Sequence, residues 1–197
     1  MNNQNLLYDY KDVTTESNVP DEPVTLQEMK DYLRLEGFVD IDESTTESIS
    51  YFTYDDTLIT NMIITARRKA EDYCGISIVF HSWEVLLKNE AGDSELPFGP
   101  VQSITEVTDA DENVLDSDSY KFRGFDFKYL VSPLQDNITV EYDAGYEDCP
   151  EGIRLAIKQM VRFWYKKHED GDDRDRPIPE LALTTLGQFK RAWTWLA

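Results

Sequence analysis

The chain is short of the residues that do most enzyme chemistry. In 197 residues it has two histidines, His81 and His168, and two cysteines, Cys74 and Cys149. It is short of positive charge as well, with 19 Lys and Arg against 39 Asp and Glu, a formal charge of −20. An excess of that size repels phosphate and argues against non-specific nucleic-acid binding through a basic face. No apolar run approaches the ~20 residues a membrane span needs. The N-terminal MNNQNLLYDYKDV is acidic and lacks the apolar stretch of a signal peptide, so the expectation is a soluble protein used without export. Absent too are G-x-S-x-G, a P-loop, G-x-G-x-x-G and H-E-x-x-H.

What is present is enough to fold. Hydrophobic residues make up 41% and aromatics 12%, which supplies a core for one domain, or for one domain carrying an insertion. The charge is unevenly spread. Residues 1–60 hold 14 acidic and 3 basic residues, 61–137 hold 14 and 7, and 138–197 hold 11 and 9. The last third is nearly balanced and holds three of the four tryptophans, which marks it as the place for a partner that binds by packing.

Residues 1–22 are polar and acidic without periodicity, an arm expected to be disordered unless a neighbour orders it. Helix periodicity then predicts helices over 25–36, 56–74, 150–167 and 180–192. The first opens on a capping box, Thr25 with Glu28, has Val24 and Met29 at the staple positions, and meets Gly37 as a stop. The second, capped by Asp55 or Asp56, gathers Leu58, Ile59, Met62, Ile63, Ala66, Ala70, Tyr73 and Cys74 on one face before Gly75. The third begins at Cys149–Pro150 and aligns Ile153, Ala156, Ile157, Met160, Val161 and Trp164. Residues 38–54 read as a long loop or small insertion, and HEDGDDRDRPIP as a charged linker.

Between the second and third helices the period changes to two. Ile76, Ile78 and Phe80 alternate, then Trp83, Val85 and Leu87 on the other parity, with a bulge or bend at His81–Ser82. A strand near 101–108, a hairpin turn at Asp109–Asn113 and short strands in SYKFRG, FKYLV and ITVEY complete an antiparallel β insertion over 76–146. The expected class is therefore α+β, a small helical bundle with an inserted antiparallel sheet in a single domain over 23–197.

Candidate chemistry is thin. Cys149, at a helix start, is a place where a thiol can become acidic, but a catalytic cysteine needs a base. His168 lies beyond the far end of the same helix, ~27 Å away for about 18 residues, and only His81 remains possible. A small structural residue is the simpler reading of Cys149. Nothing in the spacing of Cys74 and Cys149 requires a disulfide, and a reduced thiol pair is expected. DADENV at 109–114 starts like a calcium loop, but Val114 stands where Gly should and Tyr120 where Glu should. DGDDRD fails the same test, so no metal and no cofactor are expected. The sequon at Asn137 has no role without export. The C-terminal Trp193, Trp195 and Leu196, with Phe189 upstream, either dock on a partner or fold back on the chain.

The order of motifs resembles the head–tail connector (adaptor) proteins of long-tailed bacteriophages. It is carried by VTLQEMKDYLR at 24–34, DDTLI at 55–59, ARRKAEDYCG at 66–75, WEVLL at 83–87, LPFGPVQSITEV at 96–107, ITVEYDAGY at 138–146 and CPEGIRLAIKQMVRFWY at 149–165. The similarity spans roughly 23–190. The acidic arm, the 38–54 insert and HEDGDDRDR, where the family shows a short basic turn, depart from the pattern. The resemblance implies a non-enzymatic virion protein of the neck, made in the host cytoplasm, forming a ring of about twelve copies beneath the portal. It implies the portal protein, a stopper or tail-terminator protein and other copies of itself as partners, DNA passing through without specific binding, and no membrane. The C-terminal segment, with Phe189, Trp193, Trp195 and Leu196, would dock on the portal, and acids of 38–54 or the hairpin would line the channel and repel phosphate. The alternatives are another neck component such as a stopper or tail-completion protein, or an acidic DNA-mimic inhibitor.

Overall fold

The computed structural model describes residues 8–14, 21–35, 55–88, 93–133, 137–169 and 176–191. Its elements are β1 (Tyr8–Asp12), α1 (Leu26–Leu33), α2 (Asp56–Cys74), β2 (His81–Lys88), β3 (Asp93–Glu95), β4 (Val101–Thr108), β5 (Lys121–Arg123), β6 (Tyr129–Val131), β7 (Asn137–Ala144), α3 (Glu151–Glu169) and α4 (Glu180–Leu186). Among the described residues, four helices and two antiparallel sheets make an α+β fold, as the change of period requires. The chain divides into a β unit and a helical unit, with crossings at Asp21/Glu22, Cys74/Gly75 and Cys149/Pro150. Each is described separately.

In the helical unit, α1 starts on the expected capping box. The Glu28 N–H donates to Thr25 Oγ1 at 3.2 Å and the Thr25 N–H to Glu28 Oε2 at 2.9 Å. The helix ends earlier than expected. Arg34 takes the left-handed conformation at φ 60°, its N–H reaching the carbonyls of Lys30 and Asp31, so the stop precedes Gly37, which lies outside the described residues. In α2 the expected face is buried at Ile59, Met62, Ile63, Ala66, Ala70 and Cys74, while Leu58 and Tyr73 are half-covered. It packs on the predicted α3 face, where Ile153, Ala156, Ile157, Met160 and Val161 are fully buried and Trp164 nearly so.

Polar ties fasten the helices to one another and to the segments beside them. Arg67, a cation on the buried face of α2, forks onto Glu22 at 2.8 Å and Glu71 at 2.8 Å. Burial disfavours its charge, but those two carboxylates more than offset this and hold the guanidinium pKa above its usual value. Lys30 meets Asp56 at 2.6 Å, joining α1 to the start of α2. Tyr165 donates to Asp55 at 2.6 Å, and the Trp164 indole donates to the Pro177 carbonyl at 2.8 Å.

The β unit has a four-stranded sheet in the order β1-β2-β7-β4 and a three-stranded sheet in the order β3-β6-β5, antiparallel throughout. Strand β7 alternates cleanly, burying Ile138, Val140, Tyr142 and Ala144 beside Val85 and Leu87 of β2. Leu96, Val107 and Leu130 complete that core, and the Tyr142 hydroxyl donates to the Pro97 carbonyl.

Two sequence expectations change here. Residues 8–12, read as part of the arm, form β1 against β2, pairing Tyr8 with Leu87 and Tyr10 with Val85. The ordering neighbour is β2, with aromatic packing to match, since Tyr10 lies 4.7 Å from the Phe98 ring and 5.8 Å from Trp83. Residues 76–80, read as an alternating strand, lie outside any strand, and Ile76, Ser77, Ile78 and Val79 are all buried. The strand begins at His81, so the apparent phase slip is where an irregular buried segment ends.

Candidate partner-docking surfaces

Of the four residues predicted to meet a partner, the structure describes Phe189, while Trp193, Trp195 and Leu196 lie outside the described residues. Phe189 is half-buried within the helical unit. A Cβ placed on Gly152, in the first turn of α3, would come 2.8 Å from its ring, so this glycine is the space the ring occupies. The segment after α4 is fastened at two further points. The Arg191 N–H donates to the Cys74 carbonyl at 2.9 Å, and Lys190 sits 4.9 Å over the Tyr73 ring. The chain up to Arg191 is thus anchored on its own helices.

The thiols sit in ordinary structural surroundings. Neither takes part in a disulfide. Cys74 is buried at the end of α2 with its Sγ 3.6 Å from the Leu186 carbonyl, and burial pushes its pKa up to about 11, with Lys190 pulling weakly the other way. Cys149 is half-buried just before α3. His81, the remaining candidate base, has its Nδ1 3.0 Å from Asp12 and its ring beside Trp83. Asp12 also accepts from Thr14, through its N–H at 2.9 Å and its hydroxyl at 2.5 Å. Burial raises the Asp12 pKa, but the Thr14 bonds and His81 outweigh it and leave the carboxyl below its usual range. Asp12, Thr14 and His81 form a clasp that closes β1 onto β2, with Val13 and Thr14 bonding to Ser82.

The stretch at 109–114 is the expected turn. Asp109 accepts the N–H groups of Asp111 and Asn113, each at 2.9 Å, and the Asn113 amide. These bonds hold its carboxyl below the usual carboxylate range and commit it to shaping the loop. Among the described residues no group of three or more His, Cys, Asp and Glu is arranged to hold a metal ion. Also among them, no helix is long and apolar enough to cross a membrane.

Sequence reasoning missed two other exposed surfaces. On α3 the outward residues include Leu155, Arg162, Phe163 and Lys166, with Lys167 5.1 Å over the Phe163 ring. The charge balance of the last third was the available signal. In the β unit, Phe125 at the turn between β5 and β6 is 93% exposed and Val114 is 65% exposed. Their signal is weak, because short strands with mixed residues do not reveal which aromatic points outward.

Residues 24–174 match the model of the head completion protein family. Two solved chains have the same fold at 14% identity. One, from the neck of an empty gene transfer agent (GTA) particle computed with C6 symmetry, has a TM-score of 0.68 over 96% of this chain and 98% of its own. The other, from the virion of the native gene transfer agent particle, has a TM-score of 0.67 over 95% and 98%. A third, from the neck of the native particle computed with C12 symmetry, is 11% identical with a TM-score of 0.65 over 96% and 98%. Comparison with curated proteins gives no match. With more than half its length inside the family model, and with the motif order of a connector, this chain belongs to the head completion protein family of head–tail connector-type proteins.

Proposed function

We propose that this protein is a structural component of the particle neck, a ring-forming adaptor beneath the portal that joins the DNA-filled capsid to the stopper or tail. The observation that carries this reading is the family match over residues 24–174, in a fold shared across 96% of the chain with a protein of a particle neck. Two structures of that neck were computed with C6 and C12 symmetry, which supports a cyclic arrangement of copies. DNA passes through such a ring without specific binding, and a charge of −20 suits a wall that repels phosphate. Acids of 38–54 or of the Asp109–Asn113 hairpin are the proposed channel lining. The protein acts without catalysis, metal or cofactor.

The C-terminal segment is the proposed portal contact. Phe189 anchors it on α3, and Trp193, Trp195 and Leu196 supply the apolar side chains that dock. The test is the native mass of the chain, alone and with the particle's portal protein, beside a variant ending at Ala192. A defined multimer on the portal that the truncation abolishes is the expected result. Association with a stopper or tail protein, and none with the portal, would move the protein to another level of the neck. No association at all would refute the reading.

A further inference from the structure

The β5–β6 turn presents an aromatic side chain that the fold has no internal use for. Gly124 has φ +101°, and a Cβ there would stand 2.1 Å from the Phe127 carbonyl oxygen, so only glycine makes this turn. Phe125 and Phe127 then point opposite ways. The Phe127 ring turns in and fills the space over Gly99, where a Cβ would come within 2.6 Å of it. Phe125 turns out and is 93% exposed. The turn is tied on both sides, with the Val101 N–H donating to Asp126 O at 2.7 Å and the Leu96 N–H to Lys128 O at 2.8 Å. Lys128 Nζ donates to the Phe125 carbonyl at 3.3 Å. A side chain presented on fixed backbone loses little freedom on binding, which suits an anchor.

Charge says what it would bind. Residues 121–128, KFRGFDFK, carry Lys121, Arg123 and Lys128 against Asp126 alone, in a chain of net −20. The preceding twenty residues, 101–120, hold six carboxylates and no Lys or Arg. Of these Glu106, Asp111, Glu112, Asp116 and Asp118 are exposed, around a 65% exposed Val114 that is fixed by its bridge to Thr108. One β unit therefore carries a basic aromatic tip and an acidic ridge with an aliphatic centre. A closed ring needs two different, complementary patches on every copy, because each copy meets its neighbours head to tail. Copies at −20 otherwise repel one another, so a patch of opposite sign has most to contribute between them.

We propose that the β5–β6 turn is a knob for a second copy of this chain, with Phe125 packing on Val114 of the neighbour and Lys121 and Arg123 facing its 106–118 carboxylates. This rests on the ring reading above, names its interface, and of the two proposed channel linings leaves that role to the acids of 38–54. The test uses the full chain, alone and on the portal protein, and reads native mass against concentration. Phe125→Ala should raise the concentration needed for assembly by about tenfold or more. K121E with R123E should abolish assembly, as should D111K with E112K, and the four reversals combined should restore it. All five of these side chains face solvent, so circular dichroism and melting should match wild type. Reversal pairs that assemble like wild type would place the contact elsewhere and leave the ring reading standing. A combined variant that stays monomeric would refute the pairing of these two patches. Wild type that forms no multimer, on the portal or off it, would remove both the ring and the knob.

Discussion

Glu28 shows how much one residue is asked to do here. It closes the capping box with Thr25 and also receives the Arg154 guanidinium from α3, so it both starts α1 and ties α1 to α3. The backbone bond from Thr25 is the main reason its pKa falls below the usual 4.5, ahead of Arg154 and Lys158 and against a smaller effect of burial. The sign of the consequence follows from that depression. The unfolded chain binds the proton more readily, so the Glu28 contribution is fully present above about pH 4.5 and is lost as pH falls through the lower folded pKa. Glu28→Gln should therefore melt below wild type at neutral pH, and the two curves should converge as the solution is acidified. Thermal melts of both chains between pH 7 and pH 3 check this; a constant gap would mean that the carboxylate is not the source.

At the scale of the element, β1 is the feature that local sequence concealed. Its five residues, YDYKD, alternate weakly and would not hold as a strand alone. They are held by the β2 ladder, by the rings of Trp83 and Phe98, and by the clasp of Asp12, Thr14 and His81. A chain lacking residues 1–13 should leave β2 as an open, partly apolar edge. Half-covering Tyr8 and Tyr10, the latter still 52% exposed, at roughly 25 cal/mol per Å² suggests a loss of about 2–3 kcal/mol. The expected outcome is a lower melting temperature with new binding of a hydrophobic dye; unchanged melting would make β1 dispensable. The stretch ITVEYDAGYEDCPEGIRLAIKQMVRFWY was more transparent. Gly145, at φ +138°, lies where a Cβ would meet the Val79 carbonyl oxygen at 2.4 Å, and Pro150 accepts from the Ile153 N–H as α3 opens. Both are backbone requirements, and backbone requirements leave a mark in residue type.

For the whole molecule, the dominant quantity is the charge. At −20 the chain should not retain duplex DNA, because binding driven by phosphate needs a face of cations that releases counterions. No retardation of a DNA fragment in about 0.15 M salt, where screening reaches ~8 Å, is the expected result. A salt-sensitive complex would show that a local basic patch, on α3 or the β5–β6 turn, overrides the net charge. Such a complex would also turn the proposed channel argument around, since the wall would then grip what it should let pass.

The sequence by itself determined the class of fold and the helical faces. The 3.6 and 2.0 periods, the Thr25–Glu28 box, Gly75, Gly145 and Pro150 each express a constraint between residues close along the chain. That is also why the motif order pointed to the connector family, which the match over 24–174 then showed. Only the tertiary structure decided the rest. It paired β1 with a strand some seventy residues away, used residues 76–79 as irregular core, and stopped α1 at Arg34. It also placed the Phe189 ring over Gly152 and turned Phe125 out while Phe127 turned in. These outcomes depend on which distant surface is available to cover a side chain, and that information is spread over the whole chain rather than written beside the residue concerned.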